Sequence, residues 1–298
     1  MPALCLGEAI VDLVCERPVR KWEEADSFVP HFGGAVANVA VVAAALGADV
    51  ALAGGAGDDA WGHWLQLRLA QAGVDLRWFG LFPRVATPVA FVIVDSEGEP
   101  RYQLYGEGIE STIRAIGPRL ADAVEASDAL FFSSNTLADQ GQRRLTMDAR
   151  EQALDAGRPV CFDPNLRLHR WASVEEAVRA CRACLEGALL VRCNREEAEL
   201  LTGEAEPERA AEALVAAGVR VPVVTLGADG ALLRGEARAD APPHPAQVVS
   251  TMGAGDALMG TLLARLGLGG WESEAAAAAL EEAVTAGARA TERWGAVA

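Results

Sequence analysis

Short apolar runs, each closed by a polar tip and followed by a helical stretch, recur along most of this chain and constrain its fold more than any other feature. Ala3–Leu6, Asp49–Ala53, Ala129–Phe132, Pro159–Phe162, Leu189–Val191 and Val221–Leu226 have the length and composition of buried strands. Between them, the apolar stripe Val39, Val42, Ala43, Leu46, stopped by Gly47, predicts a helix. Trp61–Ala72 before Gly73 and Gln140–Ala156 before Gly157 do the same. Alternation of this kind folds as an α/β domain, a mostly parallel sheet covered by helices. The tips Ser133-Ser134-Asn135, Asp163-Pro164-Asn165-Leu166-Arg167, Asn194-Arg195-Glu196-Glu197 and Gly227-Ala228-Asp229-Gly230 then gather at the C-terminal ends of the strands. An open parallel sheet binds ligands there. Any one tip is explained by a loop; together they predict a cleft.

The alternation breaks between Val74 and Tyr105. Arg77–Gly80, Val89–Val94 and Arg101–Tyr105 read as strands, with Asp95–Glu99 as a turn. They predict a small antiparallel flap able to cover a site on the main sheet. Near the N-terminus, Ile10–Val14 continues the first strand beyond Gly7-Glu8 and carries Asp12 among apolar residues. A buried carboxylate there costs several kcal/mol unless it is hydrogen-bonded. Its partners are either backbone donors or the hydroxyls of a polyol. Gly33-Gly34 open a helix and let a ligand approach the backbone; Asn38, in its first turn, bonds either that ligand or the local backbone.

Ser250-Thr251-Met252-Gly253-Ala254-Gly255-Asp256 follows Gln247–Val249, which reads as the end of a strand, and precedes the apolar helical run from Ala257. Free N–H groups and the dipole of that helix favour an anion at the glycines. Asp256 is therefore either an acidic residue in an ordinary first turn or a base that takes a proton while the turn holds negative charge.

A chain of 298 residues is long enough for one large α/β domain. Its net charge of −16 argues against nucleic acid or an anionic membrane as partner. No basic segment leads into an apolar core at the N-terminus, and Val39–Ala48 is too short to span a bilayer, so a cytoplasmic protein without membrane partners is expected. Cys181-x-x-Cys184 stands alone, which predicts buried thiols rather than a zinc site. The four histidines are too scattered for a metal pair on one helix. Lys21 is the only lysine and no glycine-rich loop precedes it, so neither a P-loop nor the strand lysine of a protein kinase can be built. There is no G-x-S-x-G elbow. Gly55-Ala56-Gly57-Asp58-Asp59-Ala60 is a loose dinucleotide fingerprint, rejected because two carboxylates would face the pyrophosphate.

Taken together these residues resemble the ribokinase-like (PfkB) carbohydrate kinases, and among them the bacterial fructokinases. The resemblance runs from Gly7 to Ala296. Its most specific piece is Thr251–Asp256, similar to the family's D-T-x-G-A-G-D; Gly7–Asp12, Gly33–Asn38, Gly57–Asp59, Thr87–Tyr105 and the strand tips add to it. The resemblance implies one ribokinase-like domain over 1–298, with a β-strand lid from about 12–32 and 74–106, that transfers the γ-phosphoryl group of ATP to a primary hydroxyl of a small sugar, fructose first. It implies Asp256 as the base and Gly253, Ala254 and Gly255 as the anion hole. Asp12, Gly33, Gly34, Asn38, Asn165 and Arg167 would hold the sugar or lie beside the phosphate. Asn194, Thr225, Gly227 and Gly230 would hold the nucleotide, and Glu197 would organise Mg²⁺ through water. The lid strands offer a surface on which a homodimer could form. Two departures stand out. Ser250 replaces an Asp tied to a monovalent-cation loop, which leaves a K⁺ requirement open, and Gly106 stands where many fructokinases carry Arg. A 2-keto-3-deoxygluconate kinase, using Arg167 or Arg101 as the cation for the acid, a nucleoside kinase, and a non-catalytic sugar-binding relative are the alternatives.

Overall fold

The computed structural model describes residues 1–105 and 108–297. In chain order the strands are β1 (Ala3–Leu6), β2 (Ile10–Pro18), β3 (Val29–Gly33), β4 (Val50–Gly57), β5 (Phe79–Phe82), β6 (Val89–Val94), β7 (Pro100–Tyr105), β8 (Ala129–Ser133), β9 (Val160–Asp163), β10 (Leu190–Asn194), β11 (Val221–Thr225), β12 (Ala231–Leu233) and β13 (Ala239–Ala241). The α-helices are α1 (Ala35–Ala45), α2 (Ala60–Gln71), α3 (Gly108–Glu125), α4 (Gln140–Asp155), α5 (Val174–Arg182), α6 (Arg195–Thr202), α7 (Pro207–Ala216), α8 (Ala254–Leu268) and α9 (Ser273–Ala290).

Nine strands form the large sheet in the order β13-β12-β11-β10-β9-β8-β1-β4-β5. From β11 to β5 every pairing is parallel, and β12 and β13 add antiparallel at one edge. Strands buried on both faces read as unbroken apolar runs, which is why β1, β8, β9 and β11 were recognisable from sequence. One apolar layer packs β1, β4 and β10 against α1, α8 and α9; the other packs the opposite face against α3 to α7. Phe131, Phe132 and Phe162 are among the largest fully buried side chains, and truncating one to alanine would cost about 3–5 kcal/mol. The chain runs from β1 to one side of the sheet and returns at β8 on the other. The switch point of the topology therefore lies between β1 and β8.

A four-stranded sheet, β3-β2-β6-β7, stands apart. It corrects three expectations. β2 does not prolong β1: the chain leaves the large sheet at Gly7–Ala9 and begins a new one. The small sheet is mixed rather than antiparallel, because β2 and β6 pair in parallel; α1, β4, α2 and β5 lie between them in the chain, and a crossover of that length brings a strand back in the same direction. Finally, β5, expected in the flap, pairs with β4 at the edge of the large sheet. Gln247–Val249 is likewise not a strand. The proline-rich approach to it cannot donate a ladder, and the segment docks through Val249 and Ser250 N–H groups onto the Thr291 carbonyl. All six cysteines are buried and unpaired, and among the described residues no helix is long and apolar enough to cross a membrane.

Candidate active site

At the C-terminal ends of β1, β8, β9 and β10 the two sheets enclose a cleft of about 560 Å³. Nine residues singled out from sequence line it: Asp12, Gly34, Asn38, Asn165, Arg167, Asn194, Gly253, Gly255 and Asp256. They are 244 positions apart at the extremes, and all but Asp12 converge because they sit at or just beyond a strand end or at the start of a helix. Asp12 is not at a strand tip but third in β2, so the small sheet forms one wall of the cleft.

Gly33 ends β3, and a Cβ there would fall on the Asp12 carboxylate across the antiparallel pair. Gly33 is thus glycine to admit Asp12. Gly34 caps α1 and lines the cleft. In the first turn of that helix Asn38 is buried, and its Nδ2 donates to Asp256 Oδ2 at 2.7 Å across the α1–α8 contact. Asp256 lies in the first turn of α8, whose opening N–H groups have no carbonyl one turn before them. Gly253, its N-cap, has φ +72°. A Cβ on Gly253 would lie 2.5 Å from the Ala296 backbone, and one on Gly255 would lie 2.5 Å from Arg192 Nη1. Both glycines are required by neighbouring protein atoms as well as by any ligand. Ala254 begins α8 but does not reach the cleft wall.

Asn194 and Glu197 form a reciprocal capping box at the start of α6: Asn194 Oδ1 accepts the Glu197 N–H at 2.8 Å and Glu197 Oε2 accepts the Asn194 N–H at 2.9 Å. Glu197 Oε1 also accepts the Leu166 N–H at 2.7 Å, so this carboxylate ties the β9 tip to the β10 tip from behind the cleft wall. Asn165, held at φ +37°, and Arg167 project from that tied segment; the Arg167 guanidinium lies 5.9 Å over the Tyr102 ring of β7. Thr225, the last residue of β11, and Gly227 and Gly230 after it do not line the cleft. Thr225 reaches it through Arg192, whose Nη2 donates to Thr225 Oγ1 at 2.9 Å. Arg101, one of two cations considered for an acidic sugar, is exposed and outside the cleft. Gly106 lies outside the described residues.

Sequence reasoning placed Asn135 at a strand tip of the cleft and Glu8 in a family motif, but assigned no role to them or to Arg170 and Arg192, all in the cleft wall. Glu8 Oε1 accepts from the Ala35 N–H at 3.1 Å and from Asn135 Nδ2 at 2.8 Å; Arg170 donates onward to Asn135 Oδ1 and to Glu110. The signal was present, since a Glu directly after a buried strand and an Arg inside one each need a partner. The partners, however, lie over a hundred residues from Glu8 and about thirty from Arg192.

Burial raises the pKa of four carboxyl groups here, Glu8, Asp12, Asp163 and Asp256. Asp12 is pushed from the ordinary 3.8 to about 7, first by desolvation and then by the nearby Asp256 charge, against the pull of Arg167. Glu8 and Asp163 move upward for the same first reason. Asp256 is raised by desolvation too, restrained by the Asn38 hydrogen bond and by Arg167 and Arg192. Five buried polar atoms of cleft-lining residues have no partner among the described residues: Glu8 Oε2, Asp12 Oδ1, Asn38 Oδ1, Asn165 Nδ2 and Arg192 Nε.

Residues 3–297 match the pfkB family carbohydrate kinases. The chain is 30% identical over 262 residues to a probable fructokinase-4 of Arabidopsis thaliana, spanning 87% of this chain and 80% of that one. Its structure is similar to fructokinase from Vibrio cholerae O395 in a form binding fructose, ADP and calcium, with TM-score 0.83 and 28% identity over 99% of this chain and 94% of the other. Aminoimidazole riboside kinase from Salmonella enterica, complexed with aminoimidazole riboside and an ATP analogue, is as similar: TM-score 0.83, 28% identity, 99% and 95% covered.

Proposed function

Because the chain belongs to the pfkB family of carbohydrate kinases, we propose that it transfers the γ-phosphoryl group of ATP to a primary hydroxyl of a small neutral polyol, with fructose the first candidate. The five unpartnered atoms carry this reading. Three are oxygens and two are N–H donors, and a ligand that offers several hydroxyl groups, each both donor and acceptor, complements them. Fructose follows from the fructokinase relatives.

In the proposed reaction Asp256 accepts the proton of the attacking hydroxyl. The sugar oxygen forms a bond to the γ-phosphorus as the bond from that phosphorus to the bridging oxygen of ADP breaks. The N–H groups at Gly253–Gly255 face the phosphoryl oxygens where charge develops. Asn38 holds the Asp256 carboxylate in place, and Asp12 orients the sugar. ATP lies toward Asn194, with Thr225, Gly227 and Gly230 beneath it.

A hydrated Mg²⁺ fits the donor set. Among the described residues no three His, Cys, Asp or Glu side chains form a cage, and Mg²⁺ keeps several waters and takes few protein ligands. Asn194 lines the cleft and can accept from metal-bound water, while the Asp163 and Glu197 carboxylates, buried behind the cleft wall, would favour the ion through their negative charge. When bound, the ion offsets the negative charge of the phosphates. A monovalent cation fits less well. Ser250 supplies no charge, its Oγ accepts the Met252 N–H at 3.2 Å, and the Thr291 carbonyl already accepts two N–H groups. No step is assigned to K⁺.

A second reading is a riboside as acceptor, which follows from the aminoimidazole riboside kinase relatives, or a sugar acid, which rests on Arg167. Its only hydrogen bond among the described residues is a long one to the adjacent Leu166 carbonyl, so it can pair with a carboxylate. The test is ADP release with fructose, 2-keto-3-deoxygluconate, aminoimidazole riboside and ribose as acceptors, in Mg²⁺ with sodium or potassium. Fructose is expected to give the highest kcat/KM. A higher value for another acceptor would replace it, and binding without turnover on all four would sink the kinase reaction.

A further inference from the structure

We infer that Arg192 is a phosphoryl-side cation, which acts on the group held at the α8 N-terminus and is required for the transition state more than for binding ADP or sugar. The inference deepens the proposed phosphoryl transfer and rests on it.

Arg192 is the last residue of β10 before the tip that faces the α1–α8 layer. Leu190, two residues earlier on the same face, belongs to the apolar core. An aliphatic side chain is the ordinary occupant of such a position. Instead a guanidinium lies there with 12% of its side chain exposed, lining the cleft beside Gly253, Gly255 and Asn194. It fills the space that a Cβ of Gly255 would need, so the charge sits directly against the turn that opens α8.

Neutralising Asp163 does not account for it. The contact from Nη1 to Asp163 Oδ2 is long, at 3.4 Å, and Nε is buried with no partner. A buried ion pair with imperfect hydrogen bonding is a poor stabiliser, and an apolar residue of similar volume generally does better. The α8 N-terminus alone also works against it, because a cation beside the positive end of a helix is repelled. An anion between the two removes that conflict. The charge is additionally fixed in place: Thr225 holds Nη2, and Asp163, Glu197 and Asp256 surround the guanidinium with negative charge. Sequence alone would assign Thr225 to the nucleotide; the geometry makes it the orienting partner of Arg192.

The test compares wild type with Arg192→Met and Arg192→Lys. For each, kcat, the KM for sugar, melting temperature, affinity for Mg²⁺–ADP, and affinity for Mg²⁺–ADP with aluminium fluoride are measured, using the sugar the wild-type enzyme phosphorylates. In Arg192→Met, kcat should fall about a hundredfold, the scale seen when one transition-state donor is removed. Affinity for the fluoride complex should fall at least about tenfold, while ADP affinity and sugar KM stay within about threefold. Arg192→Lys should recover at least about tenfold of the lost kcat. Fluoride-complex affinity and kcat within about threefold of wild type in the Met variant would overturn the inference. So would a uniform loss of ADP, sugar and fluoride-complex binding together with a lowered melting temperature. Asp256→Asn separates the two levels: if it turns over at wild-type rate the underlying site reading fails, whereas if it is inactive and Arg192→Met is not, only the inference fails.

Discussion

Asp256, the proposed base, has an environment adjusted in opposing directions. Desolvation raises its pKa, while Asn38, Arg167 and Arg192 restrain the rise. A proton acceptor works best when its pKa approaches the working pH, so this balance suits the proposed role. Asp256→Asn preserves the size of the side chain and should lower kcat by about a hundredfold or more at unchanged melting temperature, read by steady-state ADP release. Because the pKa is raised, the acidic limb of kcat/KM for the wild-type enzyme should lie above the pH at which an ordinary aspartate titrates; a profile flat to pH 4 would contradict this. Asp12 makes a separate prediction. In the ligand-free protein it keeps its proton up to about pH 7, whereas the unfolded chain releases it near 3.8. Its contribution to stability is therefore fully present below 3.8 and is lost as pH rises through 7. Asp12→Asn cannot lose it. The melting temperature of Asp12→Asn minus that of wild type should therefore increase between pH 5 and 8 without sugar, and a difference that stays constant would refute the raised pKa.

At the level of elements, the site depends on strand tips held together by side-chain to backbone hydrogen bonds. Glu197 is the clearest case, since its two oxygens join the β9 tip to the start of α6. Glu197→Ala removes half of the capping box and the Leu166 contact. It should destabilise the fold by about 1–2 kcal/mol in urea titrations. It should also raise the KM for both substrates, because the β9 tip carries Asn165 and Arg167 while the start of α6 carries Asn194. An unchanged KM for either substrate would show that the Glu197 tie does not position that side of the cleft. The alternation of strands and helices was legible because parallel strands are buried on both faces and leave unbroken apolar runs. Gln247–Val249 was misread because its Val-Val pair has strand composition, while pairing also requires a neighbour, and the Thr291 carbonyl was the partner available.

Across the whole molecule, the small sheet supplies Asp12, Ala90, Tyr102 and Leu104 to a cleft whose other wall is the edge of the large sheet. Sugar and ADP should therefore bridge the two sheets. Amide exchange in 10–18 and 89–105 should slow on ligand binding more than exchange in β8–β10, whose strands are buried before any ligand arrives. Equal protection in both would contradict the proposed lid. The −16 net charge does not oppose ATP at this site, because in the proposed reaction the groups facing the phosphates are backbone donors and Arg192 rather than the outer surface.

The amino-acid sequence by itself determined the α/β class, the run of polar tips along one sheet edge, and the glycine turn leading into Asp256. These follow from local patterning, in which a few adjacent residues state which face is buried and where a helix must start. Only the tertiary structure decided which sheet β2 and β5 join, that Gly255 is small to admit Arg192, and that Glu8 is tied to Asn135. Each of these depends on residues that are remote in the chain and adjacent in space, and no local pattern records such a pairing. The Gly255 turn shows both halves: its glycines announce a close approach, and the fold reveals the arginine that makes it.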